Sequence, residues 1–257
     1  MAKLNGCVTF CNGPSQDYVG QSRTRGKYLR ELLVVLKISF RSPPVQPELR
    51  GDLKMPAPRK VLMLHGYAQN ANIFSKHLGA LRESMGKDID LVFVDGPIVL
   101  HPVDPGGSSA STSLTVLGAS EADMTSSDSS ATPRAWFKLN PERTAAHRLE
   151  NSLLYLRDIL QRDRYDGVFG FSQGASMAVL LSALLERPHT YPPFLIDGEA
   201  PHPPLKFCVC VSGFKLPGYP STQIFGTSYS TPTLHILGRT DVVVIEEWSK
   251  ALLNLAE

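Results

Sequence analysis

The stretch Tyr165-Asp166-Gly167-Val168-Phe169-Gly170-Phe171-Ser172-Gln173-Gly174-Ala175-Ser176 decides the fold. It reads as a buried strand, a sharp turn with a serine at its apex, and the start of a helix, because Val168-Phe169 is strand-like and Ala175 to Leu181 is helix-like. A serine hydroxyl is a poor nucleophile until it is held exposed beside a base, and a Gly-x-Ser-x-Gly turn between strand and helix does the holding. Gly170 and Gly174 leave space where side chains would collide with the neighbouring strand or helix.

Upstream of this turn, Val61-Leu62-Met63-Leu64 forms a short buried strand followed at once by His65-Gly66-Tyr67-Ala68-Gln69-Asn70. A negative oxygen developing on an attacked carbonyl needs two backbone N–H donors, one from such a loop and one from the residue after the nucleophile. Those donors are expected at Tyr67 and Gln173, with an ordinary strand-to-helix turn as the alternative reading of the loop. A helix is expected over Ile73–Met85, with His77 on its surface, and a second strand over Asp90–Val94. Strand, helix, strand is the signature of a parallel sheet with right-handed crossovers.

From His101 to Pro133 the composition shifts to Ser, Thr, Gly and Asp, which marks a low-complexity insertion expected to be largely disordered, on the rim where α/β sheets bind ligands. Arg134-Ala135-Trp136-Phe137 then either lines a pocket or anchors the end of that insertion. Asn140 to Arg162 is expected to be a helix capped by Asn140, with Pro141 in its first turn and Ala145, Leu149, Leu153, Leu156 and Leu160 along one apolar stripe. The helix after Ser172 runs to about Glu186. Strands are expected at Phe207–Val211, ending in Ser212-Gly213-Phe214, and at Thr233–Leu237. Gly238-Arg239-Thr240-Asp241 places a carboxylate just past the last strand. In this architecture a triad runs Ser, then Asp or Glu, then His, so Asp241 fits the acid that orients an imidazole. The competing reading makes Asp241 the cap of a helix over Val244–Leu255.

Composition bounds the rest. The 257 residues suffice for one α/β domain, placed at 60–257, and carry a net charge of +2. Residues 1–59 hold 10 Lys/Arg against 4 Asp/Glu, leaving 16 against 20 for the body, whose mild acidity argues against nucleic acid as a partner. The basic, Pro-rich residues 1–59 read as a disordered extension outside the core, with organellar targeting and an alternative start at Met55 as further readings. No apolar run approaches the roughly 20 residues that a membrane-spanning helix needs. Cys7, Cys11, Cys208 and Cys210 follow no secretory signal, which favours a reducing compartment: the cytoplasm, with the nucleus second. Cys208 and Cys210 alternate on one strand face and read as small buried hydrophobes rather than metal ligands.

The blocks Leu64 to Asn70, Arg134 to Phe137, Tyr165 to Ala175, Val211 to Phe214 and Gly238 to Asp241 together closely resemble the fungal FSH-type serine hydrolases, relatives of the ovarian-cancer-associated gene 2 hydrolase of animals. That resemblance, running from about Lys60 onward, implies an α/β-hydrolase fold and esterase or thioesterase chemistry on a small acyl substrate, with no cofactor and no metal. It makes Ser172 the nucleophile and Asp241 the acid, and His65, Trp136 and Phe214 are expected to touch the substrate. One departure stands out. The family's catalytic histidine lies in a Gly-Gly-His stretch beyond the helix after the acid, whereas all seven histidines here, His65, His77, His101, His147, His189, His202 and His235, precede Asp241. His65 would sit on the oxyanion side, and His235 lies on a strand. Three readings follow: a serine hydrolase whose sequence is truncated at its C-terminus, leaving a sheet edge exposed; a catalytically silent binding protein; or one module of a longer fusion. Oligomeric state is not legible in the sequence.

Overall fold

The structure, a computed structural model, describes residues 58–86, 88–100, 132–226, 228–239 and 241–257, together with the backbone of residues 6–10. Most of the N-terminal extension and nearly all of the 101–133 insertion therefore lie outside the described residues.

Six parallel strands make the central sheet: β1 (Gly6–Phe10), β2 (Arg59–Leu64), β3 (Ile89–Val94), β8 (Gly167–Phe171), β9 (Phe207–Val211) and β10 (Thr233–Gly238), in the order β1-β10-β9-β8-β2-β3. Two small antiparallel pairs, β4 (Ile98–Val99) with β5 (Arg134–Ala135) and β6 (Lys138–Leu139) with β7 (Ala146–His147), sit between β3 and β8 in the chain. The helices are α1 (Ala71–His77), α2 (Gly79–Met85), α3 (Leu149–Arg162), α4 (Gln173–Glu186), α5 (Ser221–Ile224) and α6 (Glu246–Leu253). An all-parallel sheet buries both faces, so its strands read as continuous apolar runs. Successive side chains alternate between two cores. Leu62, Leu64, Val168, Cys208 and Cys210 pack with α3 and α4, whereas Val61, Met63, Phe169, Phe207 and Val209 share a core with Phe74, Leu81 and Met85 of α1 and α2. The helix after the serine, α4, is buried from Gln173 to Leu185, as its nearly uninterrupted small and apolar sequence requires.

Four departures from the sequence reading have local causes. The single helix expected over Ile73–Met85 breaks at Leu78, whose N–H closes the last turn of α1 onto Phe74, and Asn70 caps α1 by accepting from Ile73 N–H at 2.8 Å. The helix expected from Asn140 starts only at Leu149, because the Asn140 side chain accepts from the Thr144 and Ala145 N–H groups, each at 2.8 Å, and closes the β6–β7 turn instead. Ala145 thus leaves the stripe, while Leu149, Leu153, Leu156 and Leu160 bury completely, each contributing about 1.5–3 kcal/mol. The last helix is shorter than Val244–Leu255, spanning Glu246–Leu253. Finally, the sheet edge expected to lie open beside β10 is occupied: Gly6–Phe10, from the stretch read as lying outside the core, pairs in parallel with Leu234–Gly238.

Candidate active site

Every expected site residue lies at the carboxyl edge of the sheet or braces a loop there, where α/β sheets bind ligands. Ser172 follows β8 with φ 52° and ψ −115°, a conformation that L residues avoid and that the surroundings must impose. They do so by close contact. A Cβ on Gly170 would overlap the Gly174 carbonyl oxygen and stand 2.5 Å from the Ala175 Cα, and a Cβ on Gly174 would overlap the Leu64 carbonyl oxygen and stand 2.5 Å from that of His65. The Ser172 N–H donates to Val211 O at 2.7 Å, so the turn is pinned to β9 as well. Its backbone N–H neighbour Gln173 opens α4, placing that donor at a helix N-terminus, where partial positive charge gathers.

The loop after β2 brings the second expected donor. Tyr67, half-buried, lies in a turn closed by Gln69 N–H to Gly66 O at 3.3 Å and braced by Gly66 N–H to Gln69 Oε1 at 3.0 Å. Beneath it, His65 is fully buried. Its Nε2 accepts from Gly96 N–H at 2.8 Å and its Nδ1 lies 2.7 Å from Gly66 O, which sets Nδ1 as the protonated nitrogen. Burial holds the imidazole neutral, lowering its pKa to about 4. With both ring nitrogens engaged, His65 braces the loop after β2.

Trp136 is also fully buried, with both N–H donors satisfied: Nε1 donates to His65 O at 2.9 Å and the backbone N–H to Gln173 Oε1 at 2.7 Å. Of the two readings of Arg134 to Phe137, the bonds favour an anchor. Arg134 donates from its N–H to Gln69 O at 2.8 Å and from its guanidinium to Gly96 O at 3.2 Å, with Asp95 3.6 Å away. Sequence reasoning missed the Gln173 side chain, whose Nε2 also donates to Phe137 O at 2.8 Å. Its partners lie 36 and 37 positions earlier, beyond any local pattern. Phe214 is half-buried, edge-on to Phe137 with ring centroids 6.1 Å apart, and its N–H donates to Ser176 Oγ at 3.0 Å.

Asp241 follows β10, two strands from β8, which puts the carboxyl ends of the two strands roughly 10 Å apart. Its Oδ1 accepts from the Val243 and Val244 N–H groups, each at 2.9 Å, so the carboxylate organises the turn into α6. That turn is tied to the serine side, since Ser249 Oγ on α6 donates to Gly213 O at 2.8 Å. Among the described residues no histidine hydrogen-bonds the Ser172 hydroxyl. His202 accepts from Tyr165 N–H through Nε2 at 2.9 Å. His235, buried on β10, places Nε2 2.9 Å from the Tyr229 hydroxyl, and burial lowers its pKa to about 4. Cys208 and Cys210 are buried free thiols, and burial pushes Cys208 up to about 12. Such thiols are inert, as their reading as small hydrophobes anticipates. Among the described residues no cluster of three His, Cys, Asp or Glu side chains could hold a metal ion, and no helix is long and apolar enough to cross a membrane.

Residues 55–257 match the family model described as serine hydrolase (FSH1). The chain is 34% identical over 197 residues to family of serine hydrolases 3 of Saccharomyces cerevisiae, covering 76% of this chain and 70% of that one. It is 32% identical over 209 residues to the human esterase OVCA2, covering 77% and 82%. A Schizosaccharomyces pombe protein named dihydrofolate reductase is 30% identical over 205 residues, covering 79% of this chain and 42% of that protein, so the chain spans less than half of this longer relative. On the family match and the sharply turned serine at the edge of a parallel sheet, the chain belongs to the FSH1 family of serine hydrolases.

Proposed function

We propose that this protein hydrolyses a small acyl ester or thioester through an acyl-enzyme at Ser172. The observation that carries the reading is the positive-φ serine between β8 and α4, held by the contacts at Gly170 and Gly174. Ser172 Oγ attacks the acyl carbon and gives its proton to a histidine base. The backbone N–H groups of Tyr67 and Gln173 hold the oxyanion of the tetrahedral intermediate. Collapse breaks the bond to the leaving alcohol or thiol, which takes the proton back, and water then releases the acid by the same steps in reverse. Asp241 orients the base through Oδ2, since Oδ1 is engaged by Val243 and Val244. Among the described residues no histidine is hydrogen-bonded to the Ser172 hydroxyl. The two buried free thiols support a reducing compartment, and the cytoplasm is the proposed location. A fluorophosphonate probe tests the reading. The full-length gene product should be labelled at Ser172, with labelling lost in Ser172→Ala; a folded, active-site-intact protein that stays unlabelled would refute it.

The alternative is a binding protein that keeps the site without turnover, favoured by the Ser172 hydroxyl having no histidine partner among the described residues. It predicts that the 257-residue chain is folded, monomeric, unlabelled and still able to bind acyl ligands.

A further inference from the structure

Two donors of an oxyanion hole must be held in register although they sit on segments far apart in the chain. In this molecule a third segment joins them. Residues 134–137 are bonded at one end to the loop after β2, through Arg134 N–H to Gln69 O at 2.8 Å and Trp136 Nε1 to His65 O at 2.9 Å. At the other end they are bonded to the residue after the nucleophile, through Trp136 N–H to Gln173 Oε1 at 2.7 Å and Gln173 Nε2 to Phe137 O at 2.8 Å. Ser152 Oγ donates to Trp136 O, fixing the strap from below.

We infer that the side chains of Gln173 and Trp136 are positioning residues, coupling the two halves of the oxyanion hole through the strap of residues 134–137. An apolar side chain would fill the same buried space without needing partners. A buried carboxamide is costly unless its donor and acceptor groups are satisfied, and satisfying both fixes its position and orientation. The amide of Gln173 is satisfied on both sides by the backbone of two consecutive residues, Trp136 and Phe137, so moving the strap turns the first residue of α4. The Trp136 indole does the same for the carbonyl of His65, immediately before the Gly66-Tyr67 peptide whose N–H is the second donor. Direct contact at Gly174, against the Leu64 and His65 carbonyls, leaves little slack between the two halves. The inference rests on the hydrolase reading and adds to it the residues that set the geometry of the hole.

The test uses the full-length protein, p-nitrophenyl acetate as substrate and phenylboronic acid as a probe whose adduct with the serine places an oxygen in the hole. Trp136→Phe removes the indole donor and keeps an aromatic ring; Gln173→Met removes both amide bonds at similar volume. Counted per active site by fluorophosphonate titration, each variant is expected to lose about 10- to 100-fold in kcat, with KM within roughly threefold, and boronate affinity should weaken by the same factor as kcat. The double variant should lose much less than the product of the two single losses, because both act through one strap. A purely structural role would lower the thermal midpoint and the titratable fraction while leaving kcat per site and boronate affinity unchanged, and that result overturns the coupling. A wild-type protein that neither labels at Ser172 nor turns over ester overturns the hydrolase reading and the coupling with it; active wild type with unaffected variants overturns the coupling alone.

Discussion

The two sides of the proposed reaction centre are built differently. On the nucleophile side, Ser172, Gln173, Trp136 and His65 are buried, and the side-chain polar groups of Gln173, Trp136 and His65 are taken up by neighbours within the same network. On the acid side, Asp241 is half-buried at the end of β10, held by a local turn onto Val243 and Val244 and flanked by the exposed Val242 and Ile245. Rigidity is concentrated where an oxyanion must be met by donors fixed in advance, since preorganised donors cost no reorganisation at the moment of reaction. An acid that only orients an imidazole has less need of such a frame.

The largest loss is expected at Asp241. Asp241→Asn keeps an oxygen for the Val243 and Val244 N–H groups, so thermal stability should change little, while kcat should fall by roughly 10⁴-fold through loss of the imidazole's orientation. Steady-state kinetics beside a thermal melt checks this. A kcat within tenfold of wild type would reduce Asp241 to a turn-forming residue.

Gly174→Ala probes the rigid side. Its methyl group has nowhere to go between the Leu64 and His65 carbonyls, so urea unfolding should show a loss of about 3 kcal/mol; a loss under 1 would mean the helix start can slide.

Acid sensitivity comes next. His65 and His235 both have folded pKa values lowered by burial to about 4. The unfolded chain therefore binds protons first, and the stability gained by keeping these rings neutral is full above about pH 6.5 and drains as pH falls toward 4. Each ring should cost about 2 kcal/mol between pH 6.5 and 5. Urea titrations of wild type and His235→Gln at both pH values test this, and an equal pH slope in the two proteins would contradict it. The smallest effect concerns the acid side. Arg143 lies over the Trp248 ring at 4.5 Å, linking the β6–β7 turn to α6, and Arg143→Ala should cost only about 0.5–1 kcal/mol in the same assay.

Much of this site was legible in the chain because it depends on local signals. The strand, serine turn and helix around Ser172 combine apolar runs with glycines at fixed spacing, and the strand ends at His65, Ser212 and Gly238 announce themselves by a switch from apolar to small or polar residues. Interactions between distant segments were not legible. Nothing near Gly6–Phe10 signals that it pairs with Leu234–Gly238 at the opposite end of the sequence. Asn140 has the residues expected of a helix cap, yet the hairpin it closes depends on Lys138–Leu139 meeting Ala146–His147. By sequence alone Trp136 suits a pocket wall or an anchor, and only its bonds to His65 and Gln173 decide between them.

Ser172 is proposed as a nucleophile held ready by its surroundings. Its most direct test is mass-spectrometric mapping of a fluorophosphonate adduct on the full-length protein. A single modified peptide containing Ser172, absent from Ser172→Ala, is expected; an adduct elsewhere, or none on a protein shown to be folded, would mean that Ser172 is not the nucleophile.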